Sequence, residues 1–216
     1  IKNKYWHSMI DNINDLEIEA TNVFDRAYTA ISKKKIKILV MRGGTRSSKT
    51  YSITQLLVLW LVTGKLWDIE LNKWVCAVVR KNKTTIQTTV LRDFLEVIEE
   101  RGYTKLVHLN RSDKILTYQW RKIEFIGADD PQKLKGRKQN ILYCNEANEL
   151  NYKDEFFQLL IRTKDKVIID FNPDDEDIWI NRELEEKRMN KKKDVELIVS
   201  TYLDNPFLSD EQVQEI

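Results

Sequence analysis

The chain has little of what builds metal centres and disulfide-stabilised folds. Its 216 residues include only two cysteines and two histidines. His7 and His108 lie far from each other and from the cysteines, so none of the short ligand spacings of a zinc site is present. Cys76 and Cys144 each lie in an apolar run typical of a buried strand, which predicts reduced core thiols in a cytosolic protein.

The chain also lacks an excess of one charge and a long apolar run. Lys plus Arg number 36 against 34 Asp plus Glu, so any contact with a polyanion must come from a local patch. The longest apolar stretch, around 56–62, is too short to span a bilayer, and no secretory pattern opens the chain. A hydrophobic content of 42% supports a sizeable core. We therefore expect a soluble intracellular protein, and the opening Ile1 suggests a piece of a longer polypeptide.

A strand, a glycine-containing loop and a helix are predicted in succession. The apolar run 38–41 precedes the loop, and apolar residues at helical spacing follow it from Ile53. A loop in this context points backbone N–H groups and the positive end of the helix dipole at one spot, which favours a polyphosphate. The predicted phosphate-binding residues are Gly43, Gly44, Thr45, Arg46, Ser47, Ser48, Lys49 and Thr50.

Two residues of this loop have defined chemistry. Lys49 offers a mobile positive charge to the β- and γ-phosphates, and Thr50 offers a hydroxyl to a magnesium ion. The loop departs from the usual pattern G-x-x-x-x-G-K-[ST], because Ser48 stands where that pattern has glycine. We interpret the segment as a variant phosphate-binding loop, and the alternative is a Gly-Gly turn before an ordinary amphipathic helix.

Apolar runs and helical patterns alternate along the remaining chain. Buried strands are predicted at 74–79, 140–144, 167–171 and 195–200, shorter strands at 106–109, 115–120 and 123–126, and helices at 13–30, 84–101, 153–162 and 178–190. The last two short strands are expected to form a hairpin with its turn at 120–122. This alternation predicts an α/β fold with a mostly parallel central sheet flanked by helices. We expect a helical lead-in over residues 1–34 and one domain over 35–216.

Polar residues follow two of the buried runs, at the strand ends where parallel sheets bind ligands. Glu146 is suited to polarise a water for attack on a γ-phosphate, or else it is a first-turn carboxylate of the next helix. Asn145, just before it, stands where many ATPases have an aspartate that holds magnesium through water, but it brings no charge. Asn172 is either a sensor of the γ-phosphate or part of a turn set by Pro173.

Four motifs occur in a fixed order along the chain. They lie at 43–52, at 135–137 with 143–150, at 170–173 and at 201–208. This ordered set resembles the ATPase domain of the large terminase subunit of tailed bacteriophages, over nearly the whole chain from about Lys35 onward. The resemblance implies an ASCE-type P-loop NTPase that uses ATP and Mg²⁺. It implies a motor that threads double-stranded viral DNA into a procapsid in the host cytoplasm.

The resemblance also implies residue roles and partners. Lys49 would bind phosphate, Glu146 would be the catalytic carboxylate, and Asn172 would couple hydrolysis to movement. Thr50 and Asn145 are the expected metal-shell residues, although the missing charge leaves the mode of magnesium binding open. The expected partners are double-stranded DNA, a portal protein, the small terminase subunit and further copies of the chain in a ring, with no membrane. A nuclease domain is expected C-terminal to this chain.

A ring motor needs an arginine that neutralises charge developing on the γ-phosphate. Arg137 is the first candidate, acting on a neighbouring subunit, and Arg46 and Arg80 are the alternatives. An ordinary surface or ion-paired role is open for each. A basic cluster around Arg137 predicts either salt-sensitive contact with DNA phosphates or a solvated loop. The cluster consists of Lys133, Lys135, Arg137 and Lys138.

Three other functions remain open on the sequence. A small-molecule or nucleotide kinase shares the phosphate loop, but no arginine-rich lid stands out. A GTP-binding switch needs an Asn-Lys-x-Asp segment, and residues 72–75 lack the aspartate. The substitutions at Ser48 and Asn145 suggest a non-catalytic scaffold with a decayed loop. If a nucleotide binds, Phe24 and Tyr28 are candidates to pack near its base.

Overall fold

An eight-stranded sheet forms the centre of the computed structural model, which describes residues 20–66, 69–70, 73–129, 134, 136–173 and 178–214. The strands of the sheet are β1 (Ile38–Gly43), β4 (Lys73–Arg80), β5 (His108–Asn110), β6 (Ile115–Tyr118), β7 (Trp120–Gly127), β8 (Gln139–Cys144), β9 (Thr163–Phe171) and β10 (Val195–Ser200). A separate ribbon pairs β2 (Lys65–Leu66) with β3 (Ile69–Glu70).

Helices cover both faces of this sheet. They are α1 (Asn22–Ser32), α2 (Lys49–Thr63), α3 (Val90–Glu100), α4 (Phe157–Leu160), α5 (Met189–Lys192) and α6 (Asp210–Gln214). The π-helical turns Tyr152–Phe156 and Asn181–Arg188 lead directly into α4 and α5.

The strand order is β10-β1-β9-β8-β4-β7-β6-β5. The first six strands in this order run parallel, and β6 and β5 continue the sheet antiparallel. The predicted mostly parallel sheet is therefore confirmed. Because β9 lies between β1 and β8, the segments that follow these three strands meet at one edge of the sheet.

Two hydrophobic cores lie on opposite faces of the sheet. Along β1, Leu39 and Met41 belong to the core under α1, α2 and α3, whereas Ile38 and Val40 belong to the core on the other face. Such alternation follows from the two-residue period of a strand. Helix α2 runs between α1 and α3 and is buried along nearly its whole length, which explains why its sequence is apolar on almost all sides.

The helix predicted at 84–101 is shorter than expected, because α3 begins only at Val90. The preceding residues form hydrogen-bonded turns in which threonine hydroxyls donate to nearby carbonyls. Thr85 Oγ1 donates to Asn82 O at 3.0 Å, and Thr89 Oγ1 donates to Thr85 O at 2.7 Å. Local side-chain bonds of this kind compete with regular helix, which accounts for the late start.

The predicted hairpin is present, but its turn lies earlier than expected. The turn is centred on Gln119, whose φ is 54°, and β7 already begins at Trp120. The prediction of a turn at 120–122 was therefore wrong. These residues are held in the sheet by parallel pairing with 73–75 of β4, a long-range interaction that hairpin patterns do not report.

The N-terminal helix α1 begins at Asn22, where Thr21 Oγ1 accepts the N–H of Phe24 at 3.0 Å. The earlier part of the predicted helix, like His7, lies outside the described residues. Cys76 and Cys144 are buried, unbridged thiols, as predicted, and burial raises the pKa of both. Across the described ranges, no helix has the length and apolar character needed to cross a membrane.

Candidate active site

The loop between β1 and α2 packs closely against β10. A Cβ atom at Gly43 would lie 2.4 Å from the carbonyl oxygen of Ser200 and 2.8 Å from Ser47 Oγ, distances that no side chain tolerates. Glycine at position 43 therefore lets the loop turn tightly at the end of β1. Ser47 is buried at this turn.

Ser48 occupies a left-handed backbone conformation, with φ 61° and ψ 5°. This explains why the usual pattern has glycine there, since a residue with a Cβ atom is strained in that region by roughly 1–3 kcal/mol. Arg46 has a similar φ of 62°. The side chain of Ser48 makes no capping hydrogen bond to α2, which leaves the N–H groups of the first helical turn for another acceptor.

Lys49 connects the loop to the end of β9. Its ammonium group donates to the carbonyl oxygen of Gly44 at 3.1 Å and to Oδ1 of Asn172 at 2.7 Å. Only 7% of Lys49 is exposed. The structure thus brings the predicted phosphate-binding lysine and the predicted sensor into direct contact.

Asp170 lies at the centre of the hydrogen bonds in this region. Its carboxylate accepts from Thr50 Oγ1 at 2.8 Å, Tyr143 OH at 3.2 Å, Asn145 Nδ2 at 3.2 Å and the backbone N–H of Glu146 at 3.1 Å. Burial raises the pKa of this carboxyl, and Lys49 together with these donors counteracts the rise. One carboxylate therefore links the loop to the residues that follow β8.

Glu146 forms an ion pair with Arg80, which ends β4. The same guanidinium donates to Oδ1 of Asn145 at 2.9 Å. Glu146 has a φ of 52°, an uncommon value for a residue with a side chain, and its N–H is held by Asp170. Glu146 is therefore held at its backbone by Asp170 and at its carboxylate by Arg80. About a third of its side chain (35%) is exposed.

The two other arginine candidates differ in their surroundings. Arg137 pairs with Glu124 of β7, and burial lowers the pKa of its guanidinium. Arg46 lines the cleft in front of α2, and its carbonyl oxygen accepts from Asn205 Nδ2 at 2.9 Å. In the predicted basic cluster, Lys138 is exposed, whereas Lys133 and Lys135 lie outside the described residues.

A cleft of about 860 Å³ opens in front of the loop. It is lined by loop residues 46–50, which include Arg46 and Lys49, by carboxylates of α3, and by Tyr51 and Phe207, which supply aromatic surface. The two rings pack edge to face with centroids 5.9 Å apart. Phe24, in contrast, is 1% exposed in the core, so it is not one of the aromatic residues that face this cleft.

The oxygen groups beside the loop fit a magnesium ion. The Thr50 hydroxyl and the Asp170 carboxylate meet at the base of α2, and Mg²⁺ prefers oxygen ligands, of which phosphates and water supply most. Among the residues with described positions, no group of three or more His, Cys, Asp or Glu side chains is arranged to hold a metal. The fit to magnesium rests on the Thr50 hydroxyl and the Asp170 carboxylate alone.

Sequence reasoning missed Asp170, the pairing of Arg80 with Glu146, and the aromatic residues of the cleft. A signal for Asp170 was present, because a carboxylate that ends the apolar run 167–169 must be buried and therefore needs donors. No local pattern indicated Phe207, which reaches the cleft only through the position of β10 beside β1.

Comparisons with known proteins agree with this architecture. A family model described as phage terminase large subunit matches residues 33–216. Among solved structures, the large terminase of a thermophilic bacteriophage is similar with a TM-score of 0.74 and 18% identity, over 92% of this chain and 50% of that chain. The same terminase in complex with ADP gives a TM-score of 0.73 and 17% identity, over 91% of this chain and 49% of that chain.

The large terminase of bacteriophage HK97 is also similar, with a TM-score of 0.69 and 10% identity, over 89% of this chain and 42% of that chain. No curated protein sequence matches the chain significantly. The chain spans about half the length of the solved terminases that it matches. These likenesses confirm the predicted α/β fold with a mostly parallel central sheet flanked by helices, which the chain shares with the solved large terminases.

Proposed function

Because the chain belongs to the phage terminase large subunit family, we propose that it hydrolyses ATP to drive double-stranded viral DNA into a procapsid. One observation carries the proposal. Lys49 and Thr50 of the loop and Glu146 after β8 lie at the same edge of the sheet. Lys49 contacts Asn172, and Asp170 links Thr50 to Glu146. This arrangement supports the proposal, because phosphates bound by the loop would lie near a carboxylate suited to act on a water.

Each residue of the site has its own role in the hydrolysis of ATP. Lys49 and the N–H groups of the loop hold the phosphates, and Glu146 accepts a proton from the attacking water. The Arg80 guanidinium holds the Glu146 carboxylate in position by pairing with one carboxylate oxygen. Mg²⁺, bound at Thr50, would neutralise charge on the phosphates.

The residues that line the cleft determine how the nucleotide is oriented in it. The phosphates lie along the loop, with the terminal group toward the ends of β8 and β9. Asn205 and Phe207 follow β10, on the other side of β1 from β9, so the base and ribose lie toward them. Tyr51 and Phe207 offer the base an aromatic contact.

The same proposal includes assembly of the chain with further copies of itself and with other proteins. We expect copies of the chain to form a ring on a portal protein in the host cytoplasm and to act with a small terminase subunit on double-stranded DNA. In such a ring an arginine of one subunit completes the site of its neighbour, with Arg137 as the first candidate. The family match disfavours the kinase alternative, which needs a phosphoryl acceptor.

The test is phosphate release from ATP and Mg²⁺ without any acceptor, measured with and without double-stranded DNA. We expect release that DNA stimulates and that Lys49→Ala abolishes together with ATP binding. Lys153→Ala, which removes an exposed lysine elsewhere on the surface, is the matched control and should be normal. Phosphate transfer to a small molecule, or unchanged turnover by Lys49→Ala, would contradict the proposal.

A further inference from the structure

Thr50 and Asp170 form a hydrogen bond that determines where the Thr50 hydroxyl points its lone pairs. Thr50 Oγ1 donates its hydrogen to Oδ2 of Asp170 at 2.8 Å. A hydroxyl that gives its only hydrogen to a carboxylate keeps its lone pairs for a different partner, and a cation is such a partner. Asp170 thus prepares Thr50 to act as a metal ligand.

The Asp170 carboxylate is surrounded by hydrogen-bond donors. Besides Thr50, the donors are the hydroxyl of Tyr143, the amide of Asn145 and the backbone N–H of Glu146. Donors on several sides stabilise the ionised carboxylate. Asp170 is 1% exposed, so its negative charge is poorly screened by water.

The strand register places the Asp170 carboxylate beside Asn145, which carries no charge. Cys144 of β8 pairs with Ile169 of β9, so Asn145 and Asp170 are the next residues of neighbouring strands. β9 also pairs with β1, which brings Asp170 opposite Met41, near the start of the loop. The carboxylate is therefore located one strand closer to the phosphate loop than a carboxylate at position 145 would be.

We propose that Asp170 replaces the missing charge at Asn145 and serves as the positioning residue for the magnesium ion of bound ATP, through the Thr50 hydroxyl. This inference rests on the proposed ATPase function. It explains how a chain with asparagine after β8 keeps a charged metal site.

The experiment is calorimetric titration of the whole chain with ATP, first with EDTA and then over a series of Mg²⁺ concentrations. We expect Asp170→Asn to raise the Mg²⁺ concentration needed for half-maximal tightening about tenfold or more, since partners that orient a metal ligand contribute on that order. The affinity for ATP in EDTA should stay the same. Asp165→Asn, at the other end of β9, is the matched control.

A relocated carboxylate provides the decisive variant. The double change Asp170→Asn with Asn145→Asp returns the negative charge to the strand β8 side, and we expect it to recover most of the Mg²⁺ response. Thr50→Val should reproduce the defect, and adding it to Asp170→Asn should cause little further loss because both act through one hydroxyl. Circular dichroism of each variant reports whether the fold is kept.

Two results would overturn the inference. One is an unchanged Mg²⁺ response in Asp170→Asn, and the other is an equal loss of ATP affinity in EDTA and in Mg²⁺, which would assign Asp170 to loop structure alone. If the parent chain bound no ATP under any condition, the proposed function itself would fail. That result is distinct from the failure of the Asp170 assignment, which requires a parent that binds.

Discussion

The ammonium group of Lys49 donates a 2.7 Å hydrogen bond to the side-chain oxygen of Asn172, a residue 123 positions later in the chain. The contact joins the loop between β1 and α2 to the end of the neighbouring strand β9. Because the Asn172 oxygen accepts from Lys49, its amide N–H groups are left to donate to another acceptor. A terminal phosphate held by Lys49 would be that acceptor.

Asn172→Ala should therefore weaken the binding of ATP more than that of ADP. A hydrogen bond to a charged group is worth roughly 1.5–3 kcal/mol, which corresponds to at least a tenfold loss of ATP affinity. Calorimetric titration with each nucleotide measures the two losses. Asn190→Ala changes an exposed amide on α5 and is the control. An equal loss for ATP and ADP would mean that Asn172 does not sense the terminal phosphate.

Glu146→Gln should bind ATP normally but hydrolyse it slowly. The amide keeps the size of the side chain and loses the basic oxygen, so we expect the rate to fall roughly 100- to 10,000-fold. Glu149→Gln, three residues later on the exposed surface, should hydrolyse normally. Single-turnover phosphate release with binding measured in parallel separates the two effects. A normal rate in Glu146→Gln would remove this residue from the chemistry.

Arg137→Ala should reduce the rate of ATP hydrolysis only when subunits are assembled with one another. Arg137 pairs with Glu124 within its own chain, so a role in a neighbouring site requires it to exchange this partner. The loss of a trans-acting arginine lowers the rate roughly 10³- to 10⁵-fold. We expect the rate per subunit of the parent to rise with protein concentration and that of Arg137→Ala to stay low. Arg92→Ala, an exposed arginine of α3, is the control.

A mixture of two inactive variants tests the same idea. A site with an intact Glu146 from an Arg137→Ala subunit and an intact Arg137 from a Glu146→Gln neighbour is complete, so the mixture should recover activity. Failure of the mixture to exceed either variant alone, in conditions where the parent is active, would exclude Arg137 as the trans-acting residue. Arg46 and Arg80 would then be tested in the same way.

Phe207→Ala should weaken binding of ATP but not of inorganic tripolyphosphate. Stacking of a base on an aromatic ring contributes roughly 1–3 kcal/mol, so a loss of ATP affinity of about tenfold is expected. Tripolyphosphate has no base and should bind as before. Leu203→Ala removes another exposed apolar side chain (76% exposed) of the same segment and should change neither affinity. Equal weakening of both ligands would locate the base elsewhere.

Lys166 should make stability depend on alkaline pH. Its ammonium group is buried, near Lys37, and donates to the carbonyl oxygens of Lys33 and Ile36. Burial and the charge of Lys37 lower its pKa from 10.5 to about 8. Between these values the unfolded chain binds a proton that the folded chain has released, so stability rises with pH in this window.

The comparison variant is Lys166→Met, which keeps the length of the side chain and removes the titration. Relative to it, the free energy of unfolding of the parent should rise from pH 8 toward pH 10, by at most about 1.4 kcal/mol per pH unit. Urea denaturation at three pH values measures both slopes. Identical slopes would show that Lys166 keeps its ordinary pKa in the fold.

Much of the fold was predictable from the sequence because its signals are local. The strand at 195–200 agrees with its prediction to the residue, and the other buried strands differ only at their ends. Apolar runs and turn residues report on neighbours along the chain. The late start of α3 and the displaced hairpin turn were missed because threonine side-chain bonds and pairing with β4 overrode these local patterns.

The sequence by itself determined the loop between β1 and α2, since its residues are consecutive and it depends on one strand, one turn and one helix. Only the tertiary structure decided which side chains complete the site. Thr50 meets Asp170 across 120 positions, and Arg80 meets Glu146 across 66. These pairs depend on β9 lying between β1 and β8, and on β4 lying beyond β8. Strand order arises from packing of the whole sheet, so no short segment of the sequence contains it.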